Sequence, residues 1–591
     1  MIDTQRFKTV QLAGMPITDY IIVHESGAAP ERAANELCSY LEKTVGMKLS
    51  VSVDAESSAK KAEILVGKTN RESSGWPMLD RTGFTGMAED GFIIAVKDGR
   101  LILTGANHRG TFYAVYEFLE QMIGWRFFAD DCEVLTGPDE LDIAEGTFDC
   151  QKPVLEYRDT HWNDYYPVPI RVKRKLNTGS KWADTPDETW GGTFEYAGTF
   201  SHTMCEIIPE IGNGEGQPCY TDPAVLERAI AWVRKTADAH PGARIVPVTQ
   251  NDNWNYCQCE RCQKVYDEEG SPAGVIIRLA NAVADSIRDD YPELSIDTFA
   301  YQWTRKAPLV TKPRENVIVR LCTGGECRNH RYDDTSCHFN QTLHIDIAQW
   351  AAITKRLFVW DYTTNFSYFL VPFANIGQLH HNLRWMRDNH MSGIFSQGNH
   401  LCKGTELGPL RAYLLAKIAW DPDLSDETYS AYMDDFLEGY YGAGWKNIRR
   451  YVDLIEECGK NRHVTIYGRP EYILDRRKYV SACPEIEGWF DAAEKAVTGE
   501  QRDRVFRLRL SHIFAKQWFT FDERYAKGGA ERTAAVEEHR AYYFAVRAFG
   551  LRISEGHPFP AEVDFEKGVK SWYEPYEWEL GSEFLDEGET L

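Results

Sequence analysis

The chain reads as an α/β protein built on a (β/α)8 TIM barrel, with a small α/β domain before it and an α-helical domain after it. Three observations predict this. Between about 151 and 425, short apolar runs recur, each ending in polar residues and most followed by helix-patterned sequence. Residues 1–150 carry strand, hairpin and helix signals on a smaller scale, and from 426 onward only helical periodicity remains. At 591 residues the chain is also too long for a single core.

In the first domain, 20–24 reads as a strand, 31–44 as an amphipathic helix and 63–67 as a second strand. Residues 91–96 and 100–104 form a hairpin turned at Asp98-Gly99. Gly105 and Gly110 bracket a turn into a helix over 111–123, at a spacing that is not that of a phosphate loop. The barrel strands fall at 155–158, 172–176, 198–201, 245–248, 295–300, 317–321, 357–360 and 393–395, with well-patterned helices at 223–240 and 273–289. Helices over 426–440, 445–458, 484–497, 501–523 and 532–548 make the third domain, and the acidic residues 577–591 are expected to be mobile.

Composition narrows the function classes. A net charge of −23 argues against nucleic acid, whose binding rests on basic patches. No apolar run approaches the roughly 20 residues needed to span a bilayer, and no signal peptide is visible at the N-terminus, so no membrane partner and a cytoplasmic location are expected. The 17 Trp, 30 Tyr and 28 Phe suit flat sugar faces, although they serve equally well in a core.

In a barrel the chemistry stands at the C-terminal strand ends. There the sequence places Arg158 and Trp162, His202, Asn251 and Asp252, Tyr301, Glu326, Asp361 and Tyr362, and Gln397. The acids Asp252, Glu326 and Asp361 among amides and aromatic rings are what glycoside hydrolysis requires: one carboxyl protonates the leaving oxygen while a second group supports the oxocarbenium-like centre. Cys257, Cys259 and Cys262 could bind zinc with a distant fourth ligand such as Cys219 or His202, but their spacing is not that of a paired zinc knuckle. They are expected instead to pack or cap a helix as thiols, with no metal and no cofactor.

Asn251-Asp252-Asn253 with Cys257, Cys259 and Cys262 resembles the signature of the DUF4838 family, which overlaps glycoside hydrolase family 163. Ala300-Tyr301, Trp360-Asp361-Tyr362, Leu410-Arg411, Tyr413 and Trp420-Asp421-Pro422 agree with it. The first domain, with Gly105, Gly110 and Tyr113-Ala114-Val115-Tyr116, is similar to the domain that precedes the barrel in α-glucuronidases and β-hexosaminidases. The resemblance implies an endo-β-N-acetylglucosaminidase-like hydrolase in which the substrate's own 2-acetamido group attacks the anomeric carbon. Carried over, Glu326 would be the acid/base and Asp252 would orient the acetamide beside Asn251, Tyr301 and Tyr362. Which of the two acids donates the proton stays open, as do sugar, linkage and oligomeric state, a homo-oligomer being possible. The alternatives are an exo-acting uronidase-like glycosidase, with Arg158 or Arg328 holding the substrate carboxylate, and a non-catalytic carbohydrate-binding protein.

Overall fold

The computed structural model describes residues 7–72, 76–178, 184–556 and 559–573. The acidic segment 577–591 lies outside them. Internal contacts divide the chain into two units. The first is Met1–Asp159 with Tyr165–Glu195 and Ala419–Asp421, and the second is Thr160–Asp164 with Tyr196–Ile418 and Pro422–Leu591.

The first unit holds a six-stranded mixed sheet made of β1 (Ile21–His24), β2 (Val51–Val53), β3 (Glu63–Val66), β4 (Phe92–Lys97), β5 (Arg100–Gly105) and β6 (Phe148–Gln151), in the order β6-β4-β5-β3-β1-β2. β4 and β5 form the expected hairpin. Asp98 and Gly99 both take positive φ (53° and 72°), the backbone of a two-residue primed turn that matches strand twist. After β5 the chain enters the helix His108–Phe118, capped by the Asn107 side chain accepting from Gly110 N at 2.8 Å. A Cβ on Gly105 would lie 2.4 Å from the Gly110 carbonyl carbon, so the strand and helix backbones meet where only glycine fits.

The sequence places a barrel strand at 172–176, and the structure does not. Val168–Lys173 is a helix of the first unit, with a proline in its first turn where the missing N–H costs nothing. Its basic residues are each paired: Arg171 with Asp159 at 2.6 Å, Arg174 with Glu120 at 2.5 Å, and Lys173 with Glu133.

The second unit carries a six-stranded sheet of β7 (Tyr157–His161, its last two residues in this unit), β8 (Ile245–Pro247), β9 (Ser295–Ala300), β10 (Val317–Cys322), β11 (Leu357–Tyr362) and β12 (Met391–Gln397). The order is β7-β12-β11-β10-β9-β8, and β8 to β12 run parallel. Almost every residue of β8 to β12 is buried, as parallel strands covered on both faces must be. Among the described residues this is a curled half-barrel, not eight closed strands. The expected strand at 198–201 fails because Gly198 takes φ +75°, outside the extended region. Only one bridge survives there, Tyr196 to Ile245. Phe200 turns instead over the buried Arg320 guanidinium, 4.1 Å from its ring centroid, and Arg320 pairs with Asp297 from the neighbouring strand.

The helices Asp426–Tyr441, Trp445–Gly459, Arg476–Ala496, Gly499–Lys527 and Gly529–Ala548 belong to the same contact unit as this sheet. The third starts well before the expected Pro484, which lies inside it. Asp475 caps the true start by accepting from Lys478 N at 2.9 Å. Two connecting segments from this helical region dock on the loop after β11: Phe366 N donates to Ile466 O at 2.8 Å and Phe369 N to Ile553 O at 2.8 Å.

Candidate active site

The C-terminal ends of β8, β9, β11 and β12 bring exposed and half-buried polar groups to one mouth, and the acid at its centre is Asp252. It is exposed, four residues past Val248, on a turn whose amides are held from below. Asn251 is buried and donates to Gly216 O at 2.9 Å, and Gln217 bonds the backbone on both sides of it. Asp252 Oδ1 accepts from the Tyr301 hydroxyl and from Gln302 Nε2, both at 3.1 Å. Gln302 makes that reach from a left-handed backbone, φ 53°. His202 is likewise left-handed, φ 56°, with Nδ1 2.9 Å from Gln250 O. Burial lowers the His202 pKa, against the raising effect of the Asp252 charge.

A second acid arrives from the far end of the chain. Glu555 is fastened by its own N–H to Phe366 O at 2.9 Å, and its carboxyl lies 3.9 Å from His400 Nδ1. Although 38% of its side chain is exposed, desolvation and then the negative charge of Asp252 push the Glu555 pKa up to about 7. His400 stacks on His161 at 5.2 Å between ring centroids, and burial pushes its pKa down. Around the two acids stand Tyr362 and Tyr467, both packed on Phe366, and Trp360, whose indole donates to Gln397 Oε1 at 2.8 Å. Trp254, two residues beyond Asp252, is 63% exposed.

The other expected residues are built in differently. Glu326 is buried, with one oxygen on the Arg305 guanidinium, which also pairs with Asp346 at 2.8 Å, and the other 3.8 Å from Arg328. Asp361 is buried and accepts from Thr323 at 2.6 Å, Tyr332 at 2.7 Å and Arg328 at 3.0 Å. Trp162 is fully buried, bonded to Thr363 at 3.0 Å and wedged against Gly398. Arg158 lies in the first unit, where its guanidinium serves Asp90 at 2.6 Å and the carbonyls of Leu155 and Lys175.

Sequence reasoning placed Gln302 at the strand end beside Tyr301 without giving it a role, and missed Trp254 and Glu555. Trp254 directly follows the named Asn253 and could have been found by extending the strand-end rule. Glu555 stands in an unremarked stretch after the last long helix, and nothing local marks it. The thiols of Cys257, Cys259 and Cys262 are gathered with that of Cys219, and a second quartet, Cys327, His330, Cys337 and His463, forms beyond β10. Among the described residues no helix is long and apolar enough to cross a membrane.

Residues 127–453 match the family described as "Domain of unknown function (DUF4838)", and residues 10–118 match the glycosyl hydrolase family 67 N-terminus. No curated protein is significantly similar to the chain. Among solved structures, a family GH115 4-O-methyl-alpha-glucuronidase with specificity for decorated arabinogalactans is similar in fold at 14% identity and TM-score 0.57, over 90% of this chain and 76% of that one. Weaker likenesses are a GH138 enzyme targeting pectin rhamnogalacturonan II (11% identity, TM-score 0.43, 90% and 74% covered) and the protein CpGH84D (12%, 0.46, 93% and 92%).

Proposed function

The chain belongs to the DUF4838 family, and from that premise we propose that it is a glycoside hydrolase whose chemistry is done by Asp252 and Glu555. The observation that carries this reading is the asymmetry of the two acids. Glu555, pushed up to about 7, keeps a proton to give at neutral pH, while Asp252 is exposed and accepts hydrogen bonds from Tyr301 and Gln302. Two acids in such different surroundings can take different roles in one reaction. Trp254, Tyr301 and Tyr362 offer the rings on which a sugar face can lie.

The substrate class we propose is a β-linked N-acetylhexosamine, cleaved with retention. Glu555 passes its proton to the glycosidic oxygen as the bond from that oxygen to the anomeric carbon breaks. The substrate's acetamide oxygen closes on the same carbon, and Asp252 accepts the acetamide N–H and steadies the positive charge that develops there. Water then adds to the anomeric carbon, Glu555 takes its proton back, and the acetamide is released. Glu326, the donor implied by resemblance, is less suited, since it is buried and its carboxylate is already engaged by the Arg305 guanidinium. A uronidase-like activity is the second reading. Arg158 and Arg328 are committed to Asp90 and Asp361, so the cation for a uronic acid would be Arg552, close enough to His400 to act on its ionisation, though less than burial does.

The test is a panel of N-glycans, chitooligosaccharides and aryl glycosides of N-acetylglucosamine and glucuronic acid, assayed with wild type, Glu555→Gln, Glu326→Gln and Asp252→Asn. We expect Glu555→Gln to lose about 10²–10⁴-fold in kcat on sugar leaving groups, and far less on an aryl group that departs without a proton. Loss confined to Glu326→Gln would transfer the donor role to that residue. Glycan binding without any release of reducing sugar would leave a carbohydrate-binding protein.

A further inference from the structure

Two quartets of side chains beside this mouth have the geometry of a metal's coordination shell. In the first, Cys219, Cys257, Cys259 and Cys262, all four sulfurs lie within 4.8 Å of one another. Cys219 is 3.7 Å from both Cys259 and Cys262. A tetrahedral zinc with Zn–S near 2.3 Å sets its sulfurs about 3.8 Å apart, whereas a disulfide needs about 2.05 Å. None of the four is in a disulfide.

The second quartet, Cys327, His330, Cys337 and His463, is equally tight. Cys327 Sγ is 3.3 Å from His330 Nδ1, and Cys337 Sγ is 3.4 Å from His463 Nδ1. Zinc between sulfur and imidazole nitrogen calls for about 3.6 Å. The other nitrogen of His330 lies 3.0 Å from Lys460 O, the backbone partner that fixes a ligating tautomer. In both quartets one cysteine, Cys259 or Cys337, is the N-cap of a helix and makes no side-chain capping bond.

We propose that the chain binds two structural zinc ions, one in each quartet. With four protein ligands apiece the sites are closed, so their role is to hold the backbone and not to activate water. The first staples the loop that runs from Asp252 into the helix Glu260–Glu269. The second ties the Glu326-Cys327-Arg328 loop to the connection after the helix Trp445–Gly459, where Arg328 N also donates to Val464 O at 2.8 Å. Neither site depends on the glycosidase reading.

The test is elemental analysis and zinc-edge X-ray absorption of the full chain, purified without chelator after expression in zinc. We expect two zinc per chain, with an averaged shell of three sulfurs and one nitrogen at about 2.3 and 2.0–2.1 Å. Cys262→Ser and His463→Ala should each reduce the content to one. Where a variant does not fold, titrating wild-type thiols with a mercurial while a colorimetric chelator reads released zinc gives the same count. Zinc unchanged by Cys262→Ser removes the first site, and zinc unchanged by His463→Ala removes the second. A native chain without metal, with disulfides in either quartet, or with iron bound instead overturns the assignment.

Discussion

Asp252, Glu326 and Asp361 look alike in the sequence, each a carboxylate just beyond an apolar run, and tertiary surroundings separate them. Asp361 is consumed by Arg328, Thr323 and Tyr332, and Glu326 by Arg305. Asp252 alone of the three is exposed. Glu555 allows a check that needs no substrate. Its folded pKa of about 7 stands above the ordinary 4.5, so the folded chain holds this proton more tightly than the unfolded one. The stability it contributes is fully present below about 4.5 and is lost as pH rises through about 7. Glu555→Gln should therefore raise the thermal midpoint relative to wild type at pH 8 and do so less at pH 5. An equal shift at both values would remove the raised pKa and, with it, the alkaline limb that we expect in the activity profile near pH 7.

Among the elements, legibility followed the strength of the repeat. The five strands β8 to β12 were all placed from short, mostly apolar runs, although β9 and β10 also bury Asp297 and Arg320, which pair with each other. The two expected strands that do not form were overridden by local backbone: a proline in the first turn at 168–173 and a left-handed glycine at 198. The first thiol quartet was half legible, since the sequence offered Cys219 or His202 as a distant fourth partner for Cys257, Cys259 and Cys262 and the fold brings Cys219; no spacing marked the second quartet, which His463 joins from far along the chain. Where β12 leaves the sheet, a Cβ on Gly398 would stand 2.0 Å from the buried ring of Trp162. Gly398→Ala should cost about 1–3 kcal/mol by overpacking and weaken substrate binding by displacing Gln397. Gly325→Ala, which meets nothing within 4 Å, is the control that should leave the melting temperature in place. Equal melting temperatures for both variants would show that Trp162 yields easily.

Across the whole molecule, the family match ends at residue 453, yet His463, Tyr467 and Glu555 come from beyond it. The helical region shares a contact unit with the sheet and donates parts of the mouth through its connecting segments. A chain stopped after residue 545 should keep the zinc ligands but lose Glu555 and the Phe369 to Ile553 bond, and we expect no measurable hydrolysis from it. Wild-type turnover from that truncation would place the proton donor elsewhere.

The late position of Glu555 also makes competence a matter of timing. A ribosome adding about 5–20 residues per second needs about 15–60 s to travel from Asp252 to Glu555. Throughout that interval the nascent polypeptide carries Asp252 and lacks the proton donor we propose. An interrupted translation product would thus be catalytically silent however well its earlier strands had folded, and hydrolysis would begin only on a chain whose final docking segment had closed against the loop at Phe366.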